Sequence, residues 1–92
     1  MIKFVCEDSY EASKLSSIFS LQEDNSLFVT DIVKIISNEV VVKLKDGSHH
    51  SILFKDHHNA QMLKKMFLEF SLTKNKIIST YSLGNETYIN LK

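Results

Sequence analysis

An internal repeat limits what this chain can fold into more than any other feature. Phe4, Cys6, Asp8 and Ala12 align with Ile52, Phe54, Asp56 and Ala60 at an offset of 48 residues. The same offset carries Leu15, Ile18 and Phe19 onto Leu63, Met66 and Phe67. Further along, Asn38, Glu39, Leu44 and Lys45 align with Asn85, Glu86, Leu91 and Lys92 at an offset of 47, which one deletion in the second copy accounts for. Self-similarity at a fixed spacing means one supersecondary unit used twice. A chain of 92 residues has room for a single domain, residues 1–92, made of unit one (about 1–46) and unit two (about 47–92).

Each unit follows the same order. An apolar segment, residues 2–6 or 51–55, reads as a strand. Asp8 or Asp56 follows as an N-cap, its carboxylate accepting from free N–H groups of the first helical turn. Asp8 and Glu11 also have the spacing of a capping box. Apolar residues then recur at helical spacing: Ala12, Leu15, Ile18 and Phe19 in one unit, Ala60, Leu63, Met66, Phe67 and Phe70 in the other. The opposite side of the first helix is a run of serines, Ser9, Ser13, Ser16, Ser17 and Ser20, which reads as a solvated face.

Each unit closes with a hairpin. Residues 27–36 and 39–45 flank Ser37 and Asn38, and residues 76–83 and 87–91 flank Gly84, Asn85 and Glu86. Gly and Asn suit the backbone angles of tight turns, and β-branched and aromatic residues dominate the flanks. A third hairpin links the units. A loop of Lys45, Asp46 and Gly47 sets Val40, Val42 and Leu44 on one face with Ile52 and Phe54. A two-residue loop would set Phe54 beside Lys43 and Lys45, so the odd-length loop is favoured. The expected fold is α+β: two tandem βαββ units forming one mostly antiparallel six-stranded sheet, with two helices on one face.

Catalytic and metal-binding patterns are sparse. The chain has no G-x-S-x-G, no phosphate-binding loop ending Gly-Lys-Ser/Thr and no C-x-x-C, and its only glycines, Gly47 and Gly84, are explained by turns. The four histidines form two neighbouring pairs, His49 with His50 on a strand and His57 with His58 at a helix start. Strand neighbours point to opposite faces and helix neighbours about 100° apart, so each pair offers at most one ligand to a shared site. Cys6, the single cysteine, sits in a strand pattern as a buried apolar residue and excludes an internal disulfide. The expectation is a non-catalytic protein with no cofactor and no metal.

Charge and exposed apolar residues point to contact with a partner. The formal net charge is zero, yet residues 1–46 hold five Lys and eight acids while residues 47–92 hold six Lys and three acids. The chain is therefore expected to be dipolar, which excludes a uniformly basic nucleic-acid binder and a strongly acidic DNA mimic. On the linking hairpin and the second helix, Lys43, Lys45, His49, Lys55, Lys64 and Lys65 form a basic set suited to phosphates or an acidic partner. All eleven basic side chains are Lys, which hold phosphates without the bidentate base reading that Arg supplies. In residues 27–36 both alternating sets are apolar, Leu27, Val29, Val33 and Ile35 on one face and Phe28, Ile32 and Ile36 on the other, so Phe28 and Ile32, with Val41 and Leu53, are expected on the helix-free face as a protein interface.

The β-α-β-β-β-α-β-β order resembles the double-wing DNA-binding domain of the middle-promoter transcription activators of T4-type phages. The linking hairpin around Lys45, Asp46 and Gly47, the helix over residues 57–70 and the closing hairpin over 76–91 carry the resemblance. It covers nearly the whole chain, in architecture alone. It implies a transcription-related, nucleic-acid-binding function, without assigning DNA contacts to particular residues.

The leading expectation is a small regulatory binding module that contacts a host or viral protein, a homodimer being one form of such contact. Double-wing-like nucleic-acid binding through the Lys-rich hairpin is the alternative, and a His-dependent metal protein a distant third. Abundant Lys, Asn, Ile and Ser with neither Arg nor Pro suggests an AT-rich genome, such as a bacteriophage's. The opening residues turn acidic too soon for a secretion signal, and no apolar run reaches the roughly 18–20 residues of a membrane span. With a lone cysteine, these features place the expected location in the cytoplasm, that of the host if the chain is phage-encoded.

Overall fold

The structure, a computed structural model, describes residues 1–20, 22–23, 26–27, 29–73 and 77–91. The elements run β1 (Ile2–Val5), α1 (Ser9–Ser20), β2 (Gln22–Glu23), β3 (Ser26–Leu27), β4 (Val29–Ile36), β5 (Glu39–Leu44), β6 (His49–Leu53), α2 (His57–Thr73), β7 (Ile77–Leu83) and β8 (Glu86–Leu91). The α+β class and the two helices are as expected. Among the described residues the six long strands form two antiparallel three-stranded sheets, β1-β8-β7 and β4-β5-β6, and not one six-stranded sheet. The two-residue strands β2 and β3 pair with each other.

Among the described residues the sheets meet at one antiparallel bridge, between Cys6 and Phe54. Flanking it, Glu7 N–H donates to the Leu53 carbonyl at 3.0 Å and Lys55 N–H to the Val5 carbonyl at 2.9 Å. The ladder goes no further because the chain turns into a helix on each side: Asp8 and Asp56 cap α1 and α2, accepting the N–H of Glu11 and of Asn59, both at 2.9 Å. A six-stranded sheet would need longer β1 and β6, and the caps that start the helices prevent it.

Contacts around the bridge recur at the offsets of the sequence repeat. Cys6 N–H donates to the Asn85 carbonyl and Phe54 N–H to the Asn38 carbonyl, both at 2.8 Å. The Asn85 amide donates to the Cys6 carbonyl at 3.2 Å, and the Asn38 amide to the Phe54 carbonyl at 2.8 Å. Glu11 does not complete a capping box. Its carboxylate accepts from Leu53 N–H at 3.3 Å and pairs with Lys14 at 2.6 Å. Its counterpart Asn59 accepts from Val5 N–H at 2.9 Å.

The halves are interleaved. β1 of unit one pairs with β8 of unit two, and β6 of unit two with β5 of unit one. In the same way α1 lies over β7 and β8, while α2 lies over β4, β5 and β1. One core results. Phe4, Cys6, Ala12, Leu15, Phe19, Val40, Val42, Ile52, Phe54, Ala60, Leu63 and Ile89 are fully buried in it, and the Phe4 and Phe54 rings meet at 5.9 Å. Both predicted helix stripes face this core, Phe67 being half-buried; the Phe70 side chain lies outside the described ones. Ser9, Ser13, Ser17 and Ser20 are exposed as expected. Ser16 instead accepts, through its carbonyl, the Thr80 hydroxyl at 2.9 Å.

The linking hairpin has the expected three-residue loop. Val40 pairs with Ile52 and Val42 with His50, which leaves residues 45–47 in the turn, with Gly47 at φ 89°. The closing hairpin is tighter than expected. Glu86 pairs with Leu83, so its loop is Gly84 and Asn85 alone. The first hairpin likewise turns through Ser37 and Asn38. Ser37, at φ 54°, occupies the position that Gly84 fills at φ 61°.

Candidate functional site

Among the described residues both helices cover the same side of the sheets, and the other side is free of helix. On sheet β4-β5-β6 this open face is set by the alternation of β5: Val40, Val42 and Leu44 are buried, and Glu39, Val41 and Lys43 point the other way. Cross-strand pairing completes three rows, Ile36–Glu39–Leu53, Lys34–Val41–Ser51 and Asp31–Lys43–His49. The Ser51 hydroxyl donates to Glu39 at 2.8 Å.

On sheet β1-β8-β7 the corresponding rows are Val5–Glu86–Leu83 and Lys3–Tyr88–Tyr81. The Tyr81 and Tyr88 rings stack at 4.9 Å with 16° between planes. The Tyr88 hydroxyl donates to Glu86 at 3.0 Å, and Lys3 pairs with the same carboxylate at 3.3 Å. These two contacts, the Tyr88 bond first, hold the Glu86 carboxyl below its ordinary range, and the bond to Glu86 raises the Tyr88 phenol.

Three apolar side chains stand out on this face: Ile36 (54 % exposed), Leu83 (68 %) and Tyr81 (45 %). Ile36 and Leu83 are equivalent across the repeat, each the last strand residue before its hairpin turn. Val5, Val41 and Leu53 lie half-buried between them. The face thus carries apolar groups in both sheets among both signs of charge.

The expected interface residues fall on different surfaces. Val41 and Leu53 are on the open face. Phe28 lies outside the described residues. Ile32 is not on that face: it pairs with Val42 and packs half-buried on the core, as does Ile35 opposite Val40. Register shifts between Val29 and Asp31 and between Ile32 and Lys34 each insert an extra residue into β4. Core-facing positions there fall at Val29, Ile32 and Ile35, a spacing of three where simple alternation expects two. Val33, expected beside Val29, is turned out by the second bulge and is exposed. Ile36, Leu83, Tyr81 and Tyr88 are open-face residues outside the expected interface set, although alternation does place Ile36 with Phe28 and Ile32. The repeat could have found the first two, since both abut a turn at the 47-residue offset.

The basic set is split between two surfaces. Lys43 and His49 sit opposite each other on the open face. Lys55 is exposed just past the bridge, and Lys45 is exposed in the linking turn. Lys64 and Lys65 are on α2, on the helix side. Lys34 joins Lys43 on the open face and was not part of the expected set.

The remaining reactive groups are tied into local structure. The Asp46 carboxylate accepts the Ser48 hydroxyl at 2.6 Å and its N–H at 2.8 Å, which lowers the Asp46 carboxyl. Ser48 also bonds His50 Nε2 at 3.0 Å. His57 Nδ1 donates to the Ser37 carbonyl at 2.6 Å, and its Nε2 accepts from Gln61 at 3.1 Å. Burial pushes the Cys6 thiol up to about 11, so it is protonated at neutral pH. Among the described residues no three of His, Cys, Asp and Glu are grouped to hold a metal ion, and no helix is long and apolar enough to cross a membrane. No family model matches the chain, and neither a curated protein nor a solved structure matches it with significance.

Proposed function

We propose that this chain is a small non-catalytic, regulatory binding module that docks a protein partner, of host or viral origin, on its helix-free sheet face. The observation that carries the reading is the exposure of Ile36, Tyr81 and Leu83 on one face that spans both sheets, with Val41 and Leu53 between them. Exposed apolar side chains and an aromatic pair, interspersed with Lys and Glu across the face, suit a protein-binding surface. The charges on the face alternate in sign, which suits a protein surface better than a phosphate backbone.

Nucleic-acid binding is the second reading, favoured by Lys34, Lys43 and His49 standing together on the same face. It fits the implied double-wing resemblance, and Lys alone would give sequence-tolerant binding. Affinity capture from an extract of the cells that carry the chain, with and without nuclease, separates the two. A protein retained after nuclease treatment supports the module. Retention abolished by nuclease, with gel shifts that weaken steeply with salt and vanish in Lys34→Glu/Lys43→Glu, would establish the second reading instead.

A further inference from the structure

We propose that two copies of this chain pair antiparallel along β7, with Tyr81 opposite Tyr81 of the second copy. The starting point is the contrast between the two sheet edges. β4 ends its sheet with the sequence VTDIVKII, which carries Asp31 and Lys34 and two bulges. Charges and bulges are the standard protection of an edge against pairing with another chain. β7 ends the other sheet with IISTYSL, without charge or proline, and its one register shift lies at the start, between Ile77 and Ser79. From Ser79 to Leu83 the strand is regular. Among the described residues no strand is hydrogen-bonded to its outer side.

The hairpin fixes which backbone groups are free. Leu83 and Glu86 close a two-residue turn and so form a hydrogen-bonded pair, and alternation makes Tyr81 and Tyr88 the next one. The N–H and C=O groups of Thr80 and Ser82 therefore point to the open edge. Antiparallel pairing centred on Tyr81 sets Thr80 opposite Ser82 of the second copy, twice, and each such pair exchanges two backbone hydrogen bonds. Ser79 then faces the second copy's Leu83, and no charged side chains are brought together.

Side chains favour the same register. Tyr88 stacks on Tyr81, which is 45 % exposed at the strand that ends the sheet. Residues in a non-hydrogen-bonded antiparallel pair lie about 4.5 Å apart at Cα. Two Tyr81 rings at that spacing extend the ladder to Tyr88–Tyr81–Tyr81–Tyr88 across the twofold. The repeat supplies the contrasting case: the β4 position equivalent to Tyr81 is Lys34. A Lys there would face a Lys across the axis, and like charges directly opposite oppose pairing.

The test is sedimentation of the full chain across a concentration series, with variants checked for fold by far-UV circular dichroism. Wild type is expected to dimerise with concentration, Tyr81→Phe to follow it, and Tyr81→Lys to raise the dimer dissociation constant at least about tenfold. Mild oxidation adds a test of register. The about 4.5 Å spacing lies within the Cα range that disulfides take, so Tyr81→Cys should cross-link to itself. Leu83→Cys, although more exposed, should not, and Cys6 is buried and leaves the wild type unlinked. A wild type monomeric at every concentration overturns the proposal, as does a dimer indifferent to Tyr81→Lys. Cross-linking of Leu83→Cys in preference to Tyr81→Cys overturns the register.

Discussion

Cys6 and Phe54 face each other at the bridge that joins the two sheets, and they are also each other's counterparts at the 48-residue offset. The centre of the molecule is therefore a contact between equivalent positions of two similar units. Both side chains are fully buried in a core that draws on both sheets and both helices.

Phe54→Ala should cost about 3–5 kcal/mol, the usual range for emptying a buried aromatic site. Because the core is shared, the loss should appear as one cooperative transition. Urea unfolding followed by circular dichroism and by tyrosine fluorescence should give coincident midpoints, both shifted equally by the substitution.

Cys6 should resist thiol reagents in the native state. Its thiol is buried and pushed up to about 11, so thiolate is scarce at neutral pH. Labelling followed by mass spectrometry should show modification only once denaturant unfolds the chain, at a rate that tracks the unfolded fraction.

Ser37 and Gly84 occupy equivalent turn positions with left-handed backbone, and Ser37 is the only non-glycine described there with positive φ. A side chain in that region costs about 1–2 kcal/mol, partly offset by the greater unfolded-state freedom of glycine. Ser37→Gly should therefore stabilise by up to about 1 kcal/mol. Gly84→Ala should destabilise by a similar amount through the backbone alone, since a Cβ there meets no atom within 4 Å. Thermal unfolding of both variants checks the sign.

Acid should destabilise the fold through Asp46, Asp56 and Glu86. The N–H and amide of Asn59 lower the Asp56 carboxyl, Ser48 lowers Asp46, and the Tyr88 hydroxyl followed by Lys3 lowers Glu86. A carboxyl lowered in the folded state binds fewer protons there than in the unfolded chain. Its stabilisation is present above the ordinary carboxylate range and is lost as pH falls through the lowered value. The melting temperature should hold near neutrality and fall below about pH 4. Asp56→Asn should keep the helix cap and reduce that acid slope.

These positions show what was readable in the chain. Asp8 and Asp56 gave away both helix starts, because a capping side chain must sit just ahead of the apolar stripe. The loop at residues 45–47 was readable because one residue more or less would reverse every side chain of β6. β4 was not readable in the same way. Its bulges replace a spacing of two with one of three, and nothing in Val29–Ile36 marks where the extra residues fall. Alternation therefore sets Ile32 on the wrong face, while Ile36, beyond both bulges, lies on the face that alternation gives it. The division into two sheets follows from the caps at Asp8 and Asp56, which stop β1 and β6 before they can pair along their length.

The central claim is that the helix-free face does the binding. Its most direct test is capture of the protein partner by two folded variants side by side. Ile36→Glu/Leu83→Glu charges the open face, while Tyr10→Glu/Leu68→Glu charges exposed positions on the two helices. All four sites are solvent-exposed, so each substitution should shift stability by no more than about 0.5 kcal/mol. The account predicts that the open-face variant loses the partner and the helix variant retains it. Retention by the open-face variant, with loss by the helix variant, would contradict it.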